Sequence, residues 1–515
     1  MRINAIPFQP NVSGNLSRTV LFSVLAQVLL LGSAVVFGLL LAQGYKLVNL
    51  LLIGGVFSLF IVAANALTML VLMAITVCLV IGQLMYFGGI NQALWLAYGL
   101  GALLFIHIPG AYLRSPIASS AKRGVPLLML IGAFVLFVLV SIVINMPPPL
   151  QAIVGSKNLL ALWSVFLIIA LFAVPVEQIE KLFKWLLPLA FLQLPFVLYQ
   201  YFVVAANRSN RGGRSGVSWD AIVGSFGGDP NSGGASGVMA FALVLACLLA
   251  IALWRKQLFN GVKVAAVLAV SGVCVALAEV KVVVVLLPIG IAIVALPSLI
   301  KKPLAAIGAV ITTLALMVCL LYVYDSVHYA AAGQQAGSLS DLIDKAFGYS
   351  LDNQYINFVT GEMGRMAALS FWWNEGFLPD PLHGLLGYGP GASRLSSFAT
   401  GEVARLYTFG IDRSAASQLL WDVGLAGFLS FSLVLAWGSR LAYKAARRST
   451  DQPARQATLE VTSAMLVMML LMLPYGRDLL EVPALGFFMM VGLGYAAQVT
   501  TSLGMKSAVI GSGGK

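Results

Sequence analysis

Ala235-Ser-Gly-Val-Met-Ala-Phe-Ala-Leu-Val-Leu-Ala-Cys-Leu-Leu-Ala-Ile-Ala-Leu-Trp254 runs for twenty residues without a charge and is closed by Arg255-Lys256. At about 1.5 Å of rise per residue, such a run makes a helix of about 30 Å, the thickness of a bilayer's hydrocarbon core. Two more apolar runs follow at once, 262–278 and 280–299, parted only by Glu279-Val-Lys281. A window of this length moved along the chain gives fourteen candidate spans, near 19–43, 47–65, 68–87, 93–112, 124–146, 157–175, 184–205, 235–254, 262–278, 280–299, 303–324, 416–438, 457–474 and 482–500. Composition agrees, since 60% of the 515 residues are hydrophobic, 10% are charged and mean hydropathy is +0.94. A soluble domain carries about a quarter charged residues, so that class is excluded. The expectation is an all-α polytopic membrane protein of about 12–14 transmembrane helices.

Lys and Arg number 31 against 19 Asp and Glu, a net charge of +12. In a membrane protein this surplus is first an orientation signal and only then a binding signal, so no nucleic-acid partner is expected. With a cytoplasmic N-terminus, nineteen of the 31 cations fall on the inner side, among them Arg2, Arg18, Arg255, Lys256, Arg447, Arg448 and Arg455. The short outer turns then carry only single exceptions such as Lys46 and Lys157. Both termini are therefore expected in the cytoplasm. The first apolar run exceeds the ~7–15 residues of a signal-peptide core and ends without an A-x-A site, so it reads as a retained anchor. Cys78, Cys247, Cys274 and Cys319 all lie in apolar runs without metal-ligand spacing, which supports neither a disulfide framework nor a zinc site.

The chain divides by this reading into N-terminal transmembrane helices (1–205), an Arg/Gly-rich external loop (206–234), further helices (235–324), a large external loop (325–415), and C-terminal helices with a cytoplasmic tail (416–515). The large loop breaks into short amphipathic stretches at Gly and Pro, which predicts a small helical cap. No internal repeat is visible, and this argues against a repeat-built transporter.

The outer side should be poor in cations, yet it holds Arg208, Arg211, Arg214, Arg365, Arg394, Arg405, Arg413 and Arg477. Arginine's planar fork binds phosphate bidentately and keeps its charge, so an external phosphate-bearing ligand is one reading. The other is surface ion pairing with the nine carboxylates of the large loop, Glu362, Glu375 and Asp412 among them, each pair being of little energetic value. Arg208, Arg211 and Arg214 have no local acid before Asp220, and the glycines between them free backbone N–H groups as further anion donors. Glu279 and Lys281 sit at an apolar junction where charges are costly and commonly functional, although Lys281 could equally snorkel to the interface. Of the three histidines, His107 reads as a core residue, and His383 as a turn residue or a proton carrier. There is no HExxH, P-loop or G-x-S-x-G, so no metal, ATP-driven or hydrolase chemistry is indicated.

Several of these segments, read in order over about 180–500, resemble one family, the bacterial O-antigen ligase and O-antigen/exopolysaccharide polymerase superfamily. The segments are Gly224-Ser-Phe-Gly-Gly-Asp-Pro-Asn231, Glu279-Val-Lys281, Gly364-Arg365 before a Trp-containing helix, Leu386-Gly-Tyr-Gly389, and Arg413-Ser with Gly424-Leu-Ala-Gly427 eleven residues on. Arg413 stands where ligases of this family carry their catalytic His, so the resemblance favours a polymerase over a ligase.

The resemblance implies a GT-C-like transferase in the bacterial cytoplasmic (inner) membrane with a large helical periplasmic loop. It would join undecaprenyl-diphosphate-linked oligosaccharide repeats at the periplasmic face, using no metal and no cofactor. Flippase and chain-length regulator proteins are the implied protein partners. Arg413, Arg365 and Lys281 would clamp the diphosphate. Glu279 would be the leading candidate for general base, with Glu362 or Asp412 as substitutes. Arg208, Arg211, Arg214, Asp229, Asn231 and Arg394 would hold the substrate. The competing expectations are a ligase onto lipid A core and a transporter of an anionic lipid-linked sugar.

Overall fold

Helices make up almost every element of the computed structural model, which describes residues 64–114, 125–205, 222–229, 233–278, 280–299, 303–324, 338–358, 361–395 and 399–512. The chain divides into two compact units, Met1–Asn65 and Ala66–Lys515, and every described helix belongs to the second. The expected spans 19–43 and 47–65 lie outside the described residues.

Nine helices precede the cap: α1 (Ala66–Tyr86), α2 (Asn91–Leu113), α3 (Val125–Asn145), α4 (Pro149–Ala170), α5 (Val176–Ala205), α6 (Ser236–Arg255), α7 (Gly261–Ala278), α8 (Val283–Leu299) and α9 (Pro303–Tyr324). The cap holds α10 (Leu339–Leu351), α11 (Arg365–Phe371) and α12 (Pro381–Leu386). Then come α13 (Ala415–Arg448), α14 (Pro453–Met472), α15 (Asp478–Glu481) and α16 (Pro483–Ser512). Among the described residues, α1–α7, α13 and α16 are nine helices long and apolar enough to cross a membrane, while α8 and α9 contain shorter apolar runs. The only strands among the described residues are two-residue ladders, Gly228–Asp229 with Gly233–Gly234 and Ile356–Asn357 with Glu362–Met363.

Several boundaries differ from the sequence expectation: α5 begins at Val176 and not at 184, and α16 runs to Ser512 and not to 500. The span expected at 157–175 begins as a helix at Pro149, because a proline at the first turn loses no hydrogen bond and already has helical φ. It breaks near Ala161 into Pro149–Leu160 and Trp163–Ala170, so Gln151 and Lys157 are helical residues and not loop residues. The span expected at 416–438 runs on to Arg448, with Ala442, Ala445 and Ala446 buried along it.

The centre of the bundle is α6, α14 and α16, while α3, α5 and α7 leave much of their apolar surface outward, for example Met129, Leu136, Val143 and Phe202. Lipid is as apolar as leucine, so helices inside a membrane are held by close packing at small residues. Gly438 faces Leu466 and Leu493, and Ser439 bonds across to Ser463 at 3.0 Å.

The polar groups separate to two ends. At one, Arg455 donates to Glu180 (2.6 Å) and Glu177 (3.2 Å), and Lys256 pairs with Glu460 (3.2 Å). At the other stand the cap, the start of α13 and the α14–α16 connection, joined by bonds from Ala415 N to Gly476 O and from Ala416 N to Leu473 O.

The described part of the 206–234 segment is not a surface loop. Residues 222–227 are buried and enter the bundle between α1 and α5. Gln200 accepts the amides of Val223 (2.9 Å) and Gly224 (2.8 Å) and returns its own N–H to the Gly224 carbonyl. Gln193 accepts the Ser225 amide (2.8 Å) and donates to the Ser225 hydroxyl (2.9 Å). A π-turn in α1 at Thr76–Val80 frees the Cys78 carbonyl to accept the Ser225 hydroxyl at 2.6 Å. Buried irregular backbone survives at such depth only when each polar group is satisfied by protein, and these two glutamines supply that.

Candidate functional site

Gly424 organises the cap end. Its φ of +72° breaks α13 after Val423, which frees the carbonyls of Trp421 and Asp422. The Leu386-Gly-Tyr-Gly389 segment takes them up, with Tyr388 N donating to Trp421 O (2.8 Å) and Gly389 N to Asp422 O (3.1 Å). The Asp422 carboxylate is fully enclosed and accepts Gly391 N (2.9 Å), Ser393 N (3.0 Å) and the Ser393 hydroxyl (2.8 Å). Two of the sequence motifs therefore interlock, and the chain that leaves them carries Arg394.

Around this framework the basic residues converge. Arg394 Nη2 lies 3.5 Å from Glu481, and Glu481 is in turn 3.1 Å from Arg477 Nε. Arg477 continues to Asp412 at 3.5 Å. Lys157 stands within electrostatic reach of both Arg394 and Glu481, with its ammonium over the rings of Tyr98 (4.2 Å) and Trp95 (5.0 Å). Arg365, at the first turn of α11, donates to Ser350 Oγ (2.5 Å) and lies 4.0 Å from the centroid of Tyr475. Arg413 donates Nε to the Met363 carbonyl at 3.0 Å, two residues from Arg365. Among the described residues that is its only hydrogen bond, and neither Nη group makes one.

Asp478 sits beside Arg365 at the N-terminus of α6, and a Cβ on Gly237 would come within 2.8 Å of its Oδ2. Burial, with the Glu481 charge added, pushes the Asp478 carboxyl up to about 6. Burial also raises Asp412, again with Glu481 reinforcing it and Arg477 opposing it. The neighbouring Glu481 carboxylate holds the Arg477 guanidinium above its ordinary value. In this seam the linked groups are four cations (Lys157, Arg365, Arg394, Arg477) and three carboxylates (Asp412, Asp478, Glu481), with Arg413 bonded to Met363 O two residues from Arg365. Arg394 Nη1 is buried with no hydrogen-bond acceptor among the described residues.

Beside the seam opens a groove of about 520 Å³, lined by Leu369, Trp372, Trp373, Leu420, Phe428 and Leu473. Leu369 lies one turn along α11 from Arg365, and Pro474 of the groove precedes Tyr475, so cations and groove share two chain segments. A second cavity, about 110 Å³, is enclosed by apolar side chains such as Cys78, Phe183 and Phe487 and offers no chemistry.

Of the residues expected to act, Arg394 and Arg365 both meet the Arg477–Glu481 turn, and Arg413 bonds the chain beside Arg365. Lys281 lies half-buried in the turn between α7 and α8. Asp229 is placed by its backbone in the short ladder with Gly233. Arg208, Arg211, Arg214, Asn231 and Glu279 lie outside the described residues. Asp412 is turned into an ion pair, and Glu362 pairs by its backbone with Asn357. Sequence reasoning missed Lys157, Asp422, Asp478 and Glu481 as site residues. The one signal for them was Arg477-Asp-Leu-Leu-Glu481, three charges in five residues at a junction between spans. Among the described residues no group of three or more His, Cys, Asp and Glu is placed to hold a metal ion.

The fold and site together define a multi-pass, all-α membrane protein with a cationic seam at one end. The chain matches no model of a known protein family and no curated protein.

Proposed function

We propose that this protein is a membrane glycosyltransferase that moves an oligosaccharide from a polyprenyl diphosphate, undecaprenyl diphosphate in bacteria, onto a second lipid-linked glycan. In this reading it is a polysaccharide polymerase, and the cap end faces the periplasm. One observation carries the proposal: a cation-rich seam shares chain segments with an apolar groove of about 520 Å³. A lipid diphosphate has that same division, an apolar tail ending in a dianionic head. The resemblance of the Gly224–Asn231, Gly364-Arg365 and Arg413–Gly427 segments to lipid-linked glycan transferases supports the same substrate.

The chemistry follows from charge. As the glycosidic carbon leaves the diphosphate, negative charge grows on the phosphate oxygens. Preorganised donors in a poorly hydrated site stabilise such charge by several kcal/mol. Arg413, fixed through Nε to Met363 O, presents its two Nη groups, while Arg365 is held against Tyr475 and Ser350. Arg394 and Arg477 are tied to Glu481 and Asp412, so they set the local potential without having to bind directly. An acceptor hydroxyl is a weak nucleophile and gains from a base, worth about 10²–10⁴-fold.

The test is reconstitution of the purified protein in lipid with undecaprenyl-diphosphate repeat units and no nucleotide sugar. A ladder of lipid-linked products is the expected result. Transfer onto lipid A core instead, or movement of the lipid across the bilayer without transfer, overturns it.

A further inference from the structure

The cap carries a second cluster that the anion seam does not use. His383 Nδ1 and Asp380 Oδ2 are 2.6 Å apart, and Asp380 also accepts the His383 amide (3.2 Å). The bond from His383 holds the Asp380 carboxyl below the usual carboxylate range. The His383 ring stacks on Tyr388 at 4.8 Å and 15°. Burial raises the Tyr388 phenol, with Asp380 and Tyr407 adding to it, so the three groups share one neighbourhood. The Tyr388 hydroxyl donates to the Gly376 carbonyl at 3.3 Å, which brings the turn bearing the exposed Glu375 to the same cluster, and Tyr407 is raised by burial and by Glu375. Behind these polar tips stand ring faces, with Tyr407 stacked on Phe409 (5.6 Å, 30°) and edge-on to Phe371 (5.0 Å, 84°).

This pattern has a chemical meaning. A pyranose ring has one apolar C–H face and a rim of hydroxyls, and it is matched by an aromatic surface bordered by carboxylate and phenol groups. The cluster provides both, with Tyr388 and Tyr407 half-buried and Glu375, Asp380 and His383 reaching solvent. A structural explanation accounts for less. The rings do support the cap's small core and Asp380 caps the first turn of α12 by accepting the His383 amide, but neither role needs the exposed Glu375 or the further contact between the Asp380 carboxylate and the His383 ring. Position agrees as well. The C-terminal turn of α11 carries Phe371, and its first turn carries Arg365, about 9 Å away at 1.5 Å per residue.

We propose that Tyr388, Tyr407, Glu375 and the Asp380–His383 pair form a carbohydrate subsite that holds the sugar chain of a lipid-linked glycan while its diphosphate end lies at the cation seam. The assignment deepens the proposed transfer reaction and rests on it for the identity of the lipid-linked ligand. The subsite binds sugar by ring stacking and by accepting hydroxyl protons, and it forms no covalent bond.

The test uses the full chain in lipid nanodiscs and, as probe, the soluble oligosaccharide released by mild acid from the host's own polysaccharide. Saturation-transfer NMR measures binding to wild type, Tyr407→Ala, Glu375→Gln and His383→Gln. Glu375→Gln is a nearly isosteric surface change and keeps the test valid if Tyr407→Ala fails to fold. Wild type should bind, and each folded variant should lose at least about tenfold in affinity and yield shorter products on lipid-linked substrate. Unchanged affinity and product length in folded Glu375→Gln and His383→Gln would overturn the subsite, as would a wild type that does not bind the probe. A wild type that binds the probe through these residues yet makes no product leaves the subsite standing and removes the transfer reaction.

Discussion

Gly387 and Gly424 meet backbone to backbone: a Cβ on Gly424 would lie 2.5 Å from the amide nitrogen of Gly387, and both residues have positive φ, +80° and +72°. The kink in a membrane helix and the turn of the cap are thus one joint. The Arg394-bearing chain hangs from it through the Asp422 carboxylate.

Gly424→Ala puts a side chain into a left-handed conformation and into backbone it cannot displace. Such strain costs about 1–3 kcal/mol before the clash is counted. The expected result is a thermal midpoint in detergent lowered by several degrees, with faster proteolysis within 385–405. An unchanged midpoint and cleavage pattern would mean that the joint is not tight.

Gln200→Leu removes the acceptor for two buried amides, Val223 N and Gly224 N. Each orphaned group costs about 1–3 kcal/mol. Low folded yield is expected, with hydrogen exchange in 222–227 rising in whatever protein survives. Normal yield together with native exchange would contradict the buried placement of this turn.

Asp478 gives a pH dependence with a definite sign. Its carboxyl is raised from an ordinary 3.8 to about 6, so folding favours the protonated form. The stability it contributes is complete below about 4 and is lost as pH rises through about 6. Asp412 is raised as well and acts in the same direction. Between pH 4 and 7 the wild type should therefore lose thermal stability relative to Asp478→Asn. The same slope in both proteins would show that Asp478 does not titrate in this window.

The membrane helices are legible in the sequence because apolar length is a one-dimensional property. From residue 68 onward each expected span meets a helix, and among the described residues nine of these helices are long and apolar enough to cross a membrane. What stays hidden in the sequence depends on three dimensions. The Pro149 half-helix reads as a loop because Gln151 and Lys157 lower its hydropathy. The Gly224–Gly227 turn reads as surface because glycines and serine resemble a loop unless the glutamines that satisfy them are known to be near. For the seam, the arginines are visible as an excess on one side; Arg394 pairs with Glu481, Arg365 acts on Asp478 of the same turn, and Arg413 bonds Met363 O two residues from Arg365. Glu481 and Asp478 escape notice because, beside the local Arg477–Glu481 pair, they face Arg394 and Arg365 of other segments, at sequence separations that no local pattern encodes.

The most direct measurement is the initial rate of product-ladder formation from undecaprenyl-diphosphate repeat units by reconstituted wild type, Arg413→Ala and Arg413→Lys. Lysine keeps the charge but loses the fork that bonds Met363 O while presenting two Nη groups, so it should not restore function. A cationic clamp at Arg413 predicts a drop of about 10²-fold or more in Arg413→Ala, on the scale of losing one preorganised oxyanion donor, and little rescue by lysine. Wild-type rates in both variants would contradict it.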